Sequence, residues 1–445
     1  MGIKMTRSTS SGIGIAAVFL VGLGILIGYV IANIQPVSSA TAMDSSAENG
    51  PTRLASTENV QQEPDKISPT KALKNRDIYY PGTEDLKPDE MRITALGTGM
   101  PTARPKQAAA CFLVELGNGD KFIFDIGSGS HERIAAQKIP YDFLDKVFIG
   151  HLHVDHFGDL PTFWLGGTVM NRLVPLRIWG PTGSKPEMGT KYCMEKMQEM
   201  YKWDIGTRSG FIDFRGGQLD VTEFPFDGVN EIIYNENDVI VRSIPAIHAL
   251  DGAVSFILEW NDLKFVYGSD TYPNKWYIEH SAGADLAIHE CFLPATLLIT
   301  KGGFNPFEAL NTGTQGHSSP EQFGKVMSEV KPRLAVGYHF YNDFDTEPEV
   351  RKRVRKTYDG PLSLAVDYMV WNVTKDDIKV RMAAKDEEVW PSLPQRKKIA
   401  PDFTKGVPMS DFTLSGRKAF SEVVAPIYEE INKIYGTDHK PGIKE

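Results

Sequence analysis

The sequence predicts an α/β fold in which sheets stack face to face and helices lie outside them. Strand-like runs joined by hairpin signals dominate the first part of the folded region, and strands alternate with helices further along. This order is typical of layered sheets with outer helices. A third observation locates a site in the fold, because His151-Leu152-His153-Val154-Asp155-His156 directly follows the apolar run Val147–Gly150. Imidazole nitrogens and carboxylate oxygens are ligands that zinc, manganese and iron accept.

The N-terminal part of the chain is expected to lie outside this fold. Residues 13–34 are almost wholly apolar or glycine, long enough for a helix that spans a bilayer. Ala40-Thr41-Ala42 resembles a cleavage site, so residues 1–42 are either a transmembrane anchor or a cleaved signal peptide. Lys4 and Arg7 precede the apolar segment and should remain cytoplasmic. We therefore expect an exported, periplasmic protein that is anchored to the inner membrane or secreted after cleavage.

Composition divides the remainder of the 445 residues. Residues 43–90 are rich in Ser, Thr, Pro and Glu without periodicity and predict a flexible linker. The folded domain is predicted over residues 91–384, and residues 385–445 form a C-terminal helical tail. A net charge of -9 argues against a broad nucleic-acid interface. The three cysteines lack C-x-x-C spacing, which excludes a zinc knuckle or a disulfide framework.

The predicted strands are runs rich in β-branched and aromatic residues, bounded by turn residues. Gly117-Asn118-Gly119-Asp120 and Asn261-Asp262 each predict a hairpin between two such runs. In chain order, strands are predicted at residues 92–96, 109–116, 121–125, 147–150, 239–244, 253–259, 264–267, 284–288, 333–336 and 361–366. Helices are predicted at residues 134–137, 191–200, 320–330, 347–357 and 415–435.

Further metal-ligand side chains stand at the ends of three later strands. Alternate side chains of an extended chain share one face, so His151 and His153 can bind one ion together. The predicted strands at 239–244, 264–267 and 333–336 are followed by a histidine, an aspartate and a histidine, namely His248, Asp270 and His339. A single histidine at a strand end is more often structural. Combined with the first cluster, the three residues predict a metal site at one edge of a sheet.

This set of residues resembles the metallo-β-lactamase superfamily, in particular its ribonuclease Z/arylsulfatase-like branch. Four further segments carry the resemblance: Leu96–Pro101 (LGTGMP), Phe124–Gly127 (FDIG), Ala287–Glu290 (AIHE) and Gly316–Gln322 (GHSSPEQ). It extends over residues 91–373. The resemblance implies an αββα sandwich, the metallo-β-lactamase fold, with two metal ions at one edge of the sheets.

The resemblance also implies a role for each site residue. One ion would be held by His151, His153 and His248, the other by Asp155, His156 and His339, and Asp270 would bridge them. Both ions would be divalent. Zinc is the first expectation, although the same ligands also bind manganese and iron.

The same resemblance implies further roles for four side chains. Asp155 would steer a metal-activated hydroxide, and His317, paired with Glu290, would stabilise the transition state or protonate the leaving oxygen. Asp125 would orient one of the metal ligands without binding an ion itself. A purely structural role for His317 stays open, because Ser318 and Ser319 make a good helix cap.

The implied function is that of an exported hydrolase that cleaves a phosphodiester or sulfate ester of a small molecule. A ribonuclease Z-like endonuclease of the tRNA 3′-processing type is the first alternative. The short interval between His248 and Asp270 leaves no room for a basic arm, and the net charge disfavours nucleic acid. A lactonase or other carboxyl-ester hydrolase is less favoured, because His248 lies in Ala-Ile-His-Ala rather than Gly-His-Thr. A binder without activity is least favoured, since the ligand set is complete. A homodimer stays open.

Overall fold

The structure is a computed structural model that describes residues 77–441. Its strands, in chain order, are β1 (Ile78–Tyr79), β2 (Met91–Gly97), β3 (Cys111–Leu116), β4 (Lys121–Phe124), β5 (Lys146–Phe148), β6 (Leu176–Pro181), β7 (Leu219–Phe224), β8 (Glu231–Glu236), β9 (Val239–Pro245), β10 (Val254–Trp260), β11 (Leu263–Tyr267), β12 (Leu286–Glu290), β13 (Leu334–Tyr338), β14 (Leu362–Leu364), β15 (Met369–Val373) and β16 (Ile378–Ala383).

The α-helices among these residues are α1 (His131–Ala135), α2 (Val154–Phe157), α3 (Leu160–Val169), α4 (Thr190–Met200), α5 (Lys202–Arg208), α6 (Lys275–Ser281), α7 (Ala295–Thr300), α8 (Pro306–Asn311), α9 (Pro320–Val330), α10 (Glu347–Val354), α11 (Asp411–Ser415) and α12 (Ser421–Tyr435). Short 3-10 turns connect several of them.

The described strands form two mixed sheets. The first contains nine strands in the order β1-β16-β15-β2-β3-β4-β5-β6-β7, and the second contains seven in the order β14-β13-β12-β11-β10-β9-β8. Strands β4 to β7 run parallel to one another, and so do β11 to β14. In each parallel set the carboxyl ends of the strands therefore meet at one edge of the sheet.

The two sheets pack face to face with helices on both outer surfaces. Between the sheets, the ring centroid of Phe124 lies 5.6 Å from that of Phe256 and 5.3 Å from that of Phe265. Alternation along β11 separates the layers, because Phe265 belongs to the central cluster while Val266 packs against helices α6, α9 and α10. On the other face, α3 and α4 cover the nine-stranded sheet. This arrangement confirms the predicted α/β layering.

Several elements differ from the prediction. The helix expected at 134–137 lies earlier, at α1, and α12 begins at Ser421 rather than near residue 415. The predicted linker, residues 43–90, extends too far, since β1 pairs in parallel with β16 and Tyr79 is buried. The segment 157–245 contributes three strands, β6 to β8, that the sequence did not predict.

The predicted anchor or signal, residues 1–42, lies outside the described residues. Within residues 77–441, the helices are too short or too polar to cross a bilayer.

The tail folds back on the helical segment that follows β6. The Val407 N–H donates to Gly206 O at 2.9 Å, and Ser209 Oγ donates to Lys405 O at 3.1 Å. The Ile399 N–H donates to the carboxylate of Asp213 at 2.8 Å. These contacts fasten the tail along α5 and the loop that follows it.

Candidate metal centre

The candidate ligands are the residues that follow four strands at one edge of the sandwich. His151 follows β5, and the chain then turns into the short helix α2, which carries Asp155 and His156. From the opposite sheet, His248 follows β9, Asp270 follows β11 and His339 follows β13. All seven predicted ligands, His151, His153, Asp155, His156, His248, Asp270 and His339, converge there.

The first group consists of three imidazoles. His153 Nδ1 lies 3.0 Å from His151 Nε2 and 3.1 Å from His248 Nε2. Three ring nitrogens this close cannot all be satisfied by one another, since each hydrogen bond needs one donor and one acceptor. Three nitrogens facing one point suit a single zinc ion, whose Zn–N bonds are about 2.0–2.1 Å.

The second group is centred on one oxygen of Asp270. Asp270 Oδ2 lies 3.2 Å from His339 Nε2, 3.4 Å from His156 Nε2 and 3.9 Å from His248 Nε2. His339 Nε2 is also 3.1 Å from Asp155 Oδ2. One carboxylate oxygen thus lies within 3.9 Å of ligand nitrogens from both groups, the geometry that a bridging role requires.

Orphaned polar atoms support the fit of cations to these residues. His156 Nε2 and Asp155 Oδ1 are buried and make no hydrogen bond with any described residue. A buried polar atom without a partner is costly, by about 1–3 kcal/mol, unless an ion or water satisfies it. The donor set of nitrogen and carboxylate oxygen is the one that divalent transition metals accept, so the residues fit the implied group.

A layer of side chains behind the ligands holds them in place. Asp125 Oδ2 lies 2.6 Å from His156 Nδ1, and its other oxygen accepts from the Gly150 N–H at 2.7 Å. Tyr267 and Ser269 also donate to Asp125 Oδ2, at 2.6 Å and 2.9 Å. The sequence resemblance anticipated Asp125, whereas Ser269 and Tyr267 were missed. Their position at the end of the strand that leads to Asp270 is the signal that could have identified them.

The backbone at the site is strained in a recurring way. Four non-glycine residues there adopt positive φ: Asp125 (56°), Ala249 (50°), Ser269 (51°) and His339 (68°). A left-handed conformation costs an L-residue about 1–2 kcal/mol, and such residues cluster at functional sites. Asp125, Ser269 and His339 stand just after the ends of β4, β11 and β13, and Ala249 follows the ligand His248.

His317 lies beside the ligands and is held on two sides. Its Nδ1 is 2.7 Å from Glu290 Oε2, and its ring stacks on Phe292 with centroids 4.1 Å apart and planes 3° apart. Glu290 also accepts from the Thr271 N–H at 2.7 Å, next to Asp270. The predicted pairing of His317 with Glu290 is therefore present in the geometry. Phe292 was not foreseen from the sequence.

The protonation of the imidazoles follows from their surroundings. Burial lowers the pKa of His248 to about 4, which keeps it neutral as a metal ligand must be. Burial opposes the charged form of His317 as well, but the charge of Glu290 and its hydrogen bond outweigh burial and raise the pKa of His317 to about 9. His317 therefore carries a proton at neutral pH.

A competing assignment of the same residues also exists. Asp270, Glu290, His317 and His339 bring ligand-type atoms within 4.8 Å of one another. In that arrangement His317 would be a ligand instead of a proton donor. The contact of His317 Nδ1 with Glu290 is compatible with either role, so the metal content of a His317 variant decides between them.

Comparison with known proteins finds several similar chains. A family model described as Anti-Pycsar protein Apyc1 matches residues 91–298. The chain is 30% identical over 258 residues to ribonuclease Z of Mycolicibacterium gilvum (strain PYR-GCK), across 56% of this chain and 84% of that protein. It is 31% identical over 259 residues to ribonuclease Z of Mycobacterium sp. (strain KMS), with the same two coverages. Among solved structures it is similar to the metallo-β-lactamase fold protein YhfI from Bacillus subtilis, with a TM-score of 0.48 and 18% identity, over 64% of this chain and 100% of that chain.

The ribonuclease Z relatives confirm the resemblance that the motifs indicated. The alignment with the Mycolicibacterium gilvum protein extends over most of that relative, so the similarity concerns a whole fold rather than one motif. The chain belongs to the metallo-β-lactamase superfamily, as a relative of ribonuclease Z.

Proposed function

We propose that the chain is an exported hydrolase that uses two divalent metal ions to cleave a phosphodiester or sulfate ester of a small molecule. Zinc is the first choice for both ions, with manganese and iron as alternatives, because all three accept the same nitrogen and oxygen ligands. Kinship with ribonuclease Z supports hydrolysis of a phosphodiester bond, which makes this ester the first to test. The apolar sequence of residues 13–34 supports export.

The position of Asp270 carries the proposal. Its Oδ2 atom lies 3.9 Å from His248 Nε2 in one ligand group and 3.2 Å from His339 Nε2 in the other. A carboxylate shared between two sets of ligands is the arrangement expected for a pair of cations close together. A single structural ion would not need a second set.

Two bound divalent ions would supply Lewis acidity toward an ester oxygen and lower the pKa of a water molecule. The chain's own part is to fix the reacting groups. The Oδ1 atom of Asp155 is buried without a hydrogen-bond partner, so it is free to accept a hydrogen bond from a water molecule and orient it. Burial of Asp270 and His156 excludes bulk water from the far side of the centre.

His317 is assigned the role of proton donor to the leaving oxygen. Its Nδ1 is engaged by Glu290, which leaves Nε2 to donate toward a substrate. A general acid needs a proton at the working pH, and the raised pKa of His317 provides one. The stack on Phe292 fixes the plane of the ring, so the donor does not have to be oriented during the reaction.

A ribonuclease Z-like endonuclease remains the second candidate. The observation in its favour is the 30% identity to ribonuclease Z over most of that relative. Against it stands the short β10–β11 hairpin between His248 and Asp270, which turns at Asn261 and Asp262 and has no protruding arm. The net charge of -9 also disfavours a polyanionic substrate.

A substrate panel on the full-length chain tests the proposal. The chain, solubilised in mild detergent and loaded with zinc or manganese, is offered an aryl phosphodiester, an aryl sulfate, a lactone and a transfer-RNA precursor. We expect hydrolysis of the phosphodiester or the sulfate, with about two ions bound per chain. The Asp270→Ala variant should lose both turnover and metal. Cleavage of the transfer-RNA precursor alone would favour the second candidate, and unchanged turnover in Asp270→Ala would refute the bridging role.

A further inference from the structure

A cavity of about 530 Å³ opens directly beside the first ligand group. His151, His153 and His248 form part of its lining, so the candidate metal centre lies at its floor. Its volume falls within the range of about 300–1,000 Å³ that is typical of small-molecule sites. Helix α4 and the loop after His248 form two of its walls.

The walls of this cavity are predominantly apolar. The apolar side chains that line it include Leu152, Phe157, Met188, Met197, Met200 and Leu250. Three of them remain solvent-exposed although they are large and apolar: Met188 is 49% exposed, Leu250 59% and Met200 71%. Apolar side chains left exposed around a cavity mark a binding surface, because a ligand can cover them.

The backbone of helix α4, which forms one wall of the cavity, is fixed by packing, whereas its methionine side chains can change conformation. Met194 and Met197 are buried in the cluster under the nine-stranded sheet, and Thr190 Oγ1 donates to Pro181 O at 2.9 Å. Methionine side chains have three rotatable bonds and fit ligands of irregular shape. A flexible chain is accommodated by such walls more readily than a flat ring that needs hydrogen-bond partners along its edge.

The charges around the cavity disfavour a polyanion. Its charged lining residues other than histidine are Glu187, Lys196 and Asp251, and all three are exposed. Lys196 Nζ is 3.1 Å from Glu199 Oε2, so its charge is already compensated. A nucleic-acid strand would require cations along its path, whereas this rim carries a net negative charge.

We propose that this cavity binds an alkyl chain, so that the substrate is a phosphodiester with one apolar alkyl substituent. This inference rests on the proposed function. The phosphoryl group would lie at the ligand cluster, and the alkyl substituent would extend along α4 over Met188 and Met200.

A series of alkyl p-nitrophenyl phosphates measures how much the alkyl chain of the substrate contributes to catalytic efficiency. The metal-loaded, full-length protein is offered the methyl, butyl and octyl esters, which share one leaving group. We expect kcat/KM to rise by roughly two- to fourfold for each methylene until the cavity is full, since a buried methylene contributes up to about 0.8 kcal/mol. The rise should appear mainly as a lower KM, because it reflects binding rather than chemistry.

Matched variants connect the effect to this cavity. Met188→Gln combined with Met200→Gln keeps nearly the same volume but makes the exposed wall polar, and should reduce the octyl-to-methyl ratio of kcat/KM at least tenfold. Met409→Gln in the tail, where Met409 is 59% exposed and outside the cavity, should leave the ratio intact. An unchanged ratio in the double variant would overturn the assignment.

Binding without turnover separates this inference from the proposed function. Calorimetric titration with methyl-, butyl- and octylphosphonate measures how tightly the alkyl group binds, even when no ester is hydrolysed. Affinity that rises with chain length supports the alkyl site, and absent hydrolysis would then overturn only the proposed reaction. Hydrolysis of all three esters with equal efficiency, together with equal phosphonate affinities, would retain the reaction and overturn the alkyl site.

Discussion

Three imidazoles of the candidate centre face the ligand cluster with one ring nitrogen while a neighbour holds the other. His156 is held at Nδ1 by Asp125, and His248 lies with Nδ1 3.2 Å from Gly316 O. His151 Nδ1 is 3.3 Å from Ser269 Oγ. Partners of this kind fix both the tautomer and the orientation of a metal-ligating ring. The chain therefore determines the direction of these three ligand nitrogens before a cation binds.

The Asp125→Asn variant tests this support. The amide keeps the shape of the side chain but loses the charge that holds the proton of His156 Nδ1, so we expect metal affinity to fall by about 10–100-fold. Competition with a chromophoric chelator measures the change. Asp220→Asn, an exposed change on β7, should leave the affinity as it is. Equal affinities in the two variants would contradict the supporting role.

The His317→Asn variant separates a proton donor from a ligand. Loss of a general acid reduces turnover by about 10²- to 10⁴-fold, and the ligand nitrogens of the other histidines remain. We expect both ions to be retained, which elemental analysis of the purified variant determines. His439→Asn in the tail serves as the matched control. Loss of one ion from His317→Asn would instead support the cluster in which His317 is a ligand.

At the scale of elements, the site depends on the close approach of two strand ends from opposite sheets. A Cβ atom at Gly150 would lie 2.3 Å from Ser269 Oγ and 2.6 Å from Ser269 Cβ. Ser269 itself donates to Asp125 and precedes Asp270. Only a glycine after β5 allows the end of β11 to approach this closely.

The Gly150→Ala variant should separate these two strand ends. We expect it to lower the free energy of unfolding by about 1–3 kcal/mol, because the added methyl group overpacks a filled site. Metal affinity should fall at the same time, since Ser269 and Asp270 would shift together. Chemical denaturation and chelator competition measure the two effects. Gly416→Ala, where the nearest atom is 3.6 Å away, is the control and should alter neither.

Some of the secondary-structure elements could be predicted from the sequence, and others could not. Strands whose ends carry His248, Asp270 and His339 were identified because their apolar runs are bounded by turn residues, and the hairpin at Asn261 and Asp262 has the positive φ angles that its residues favour. By contrast, β8 is a largely exposed edge strand of sequence EIIYNE, whose apolar residues are consecutive and show no alternation with polar ones. Helix α3 contains two glycines and a proline, and its packing, not its propensity, stabilises it.

Long-range contacts were the least predictable part of the site. The stack of Phe292 on His317 and the approach of Ser269 to Asp125 join residues far apart in sequence. Local periodicity carries no information about such pairs. The seven candidate ligands could be named because their motifs resemble those of a known superfamily, whereas Phe292, Ser269 and Tyr267 belong to residue types that occur throughout the chain.

Across the whole molecule, each ligand group draws on both sheets. His151 and His153 follow β5 of the nine-stranded sheet, and His248 follows β9 of the seven-stranded sheet. In the second group, Asp155 and His156 come from the first side and Asp270 and His339 from the other. Ions bound here would join the two sheets at their common edge, so metal binding should be linked to the stability of the entire sandwich.

Removal of the metal should therefore lower the melting temperature, and by more at high pH than at low pH. Burial disfavours the charged form of His156, but Asp270 and Asp125 outweigh it and raise its pKa well above the usual value. In the metal-free protein this proton stabilises the fold fully below about pH 6.5, the pKa of an unfolded histidine, and its contribution is lost as the pH rises through the folded pKa. A metal ion must displace the same proton, so its affinity increases over that range. Thermal unfolding of chelated and zinc-loaded protein at pH 6 and pH 8.5 measures the difference, which should widen with pH. A gap that narrows with pH would show that His156 does not exchange its proton for a cation.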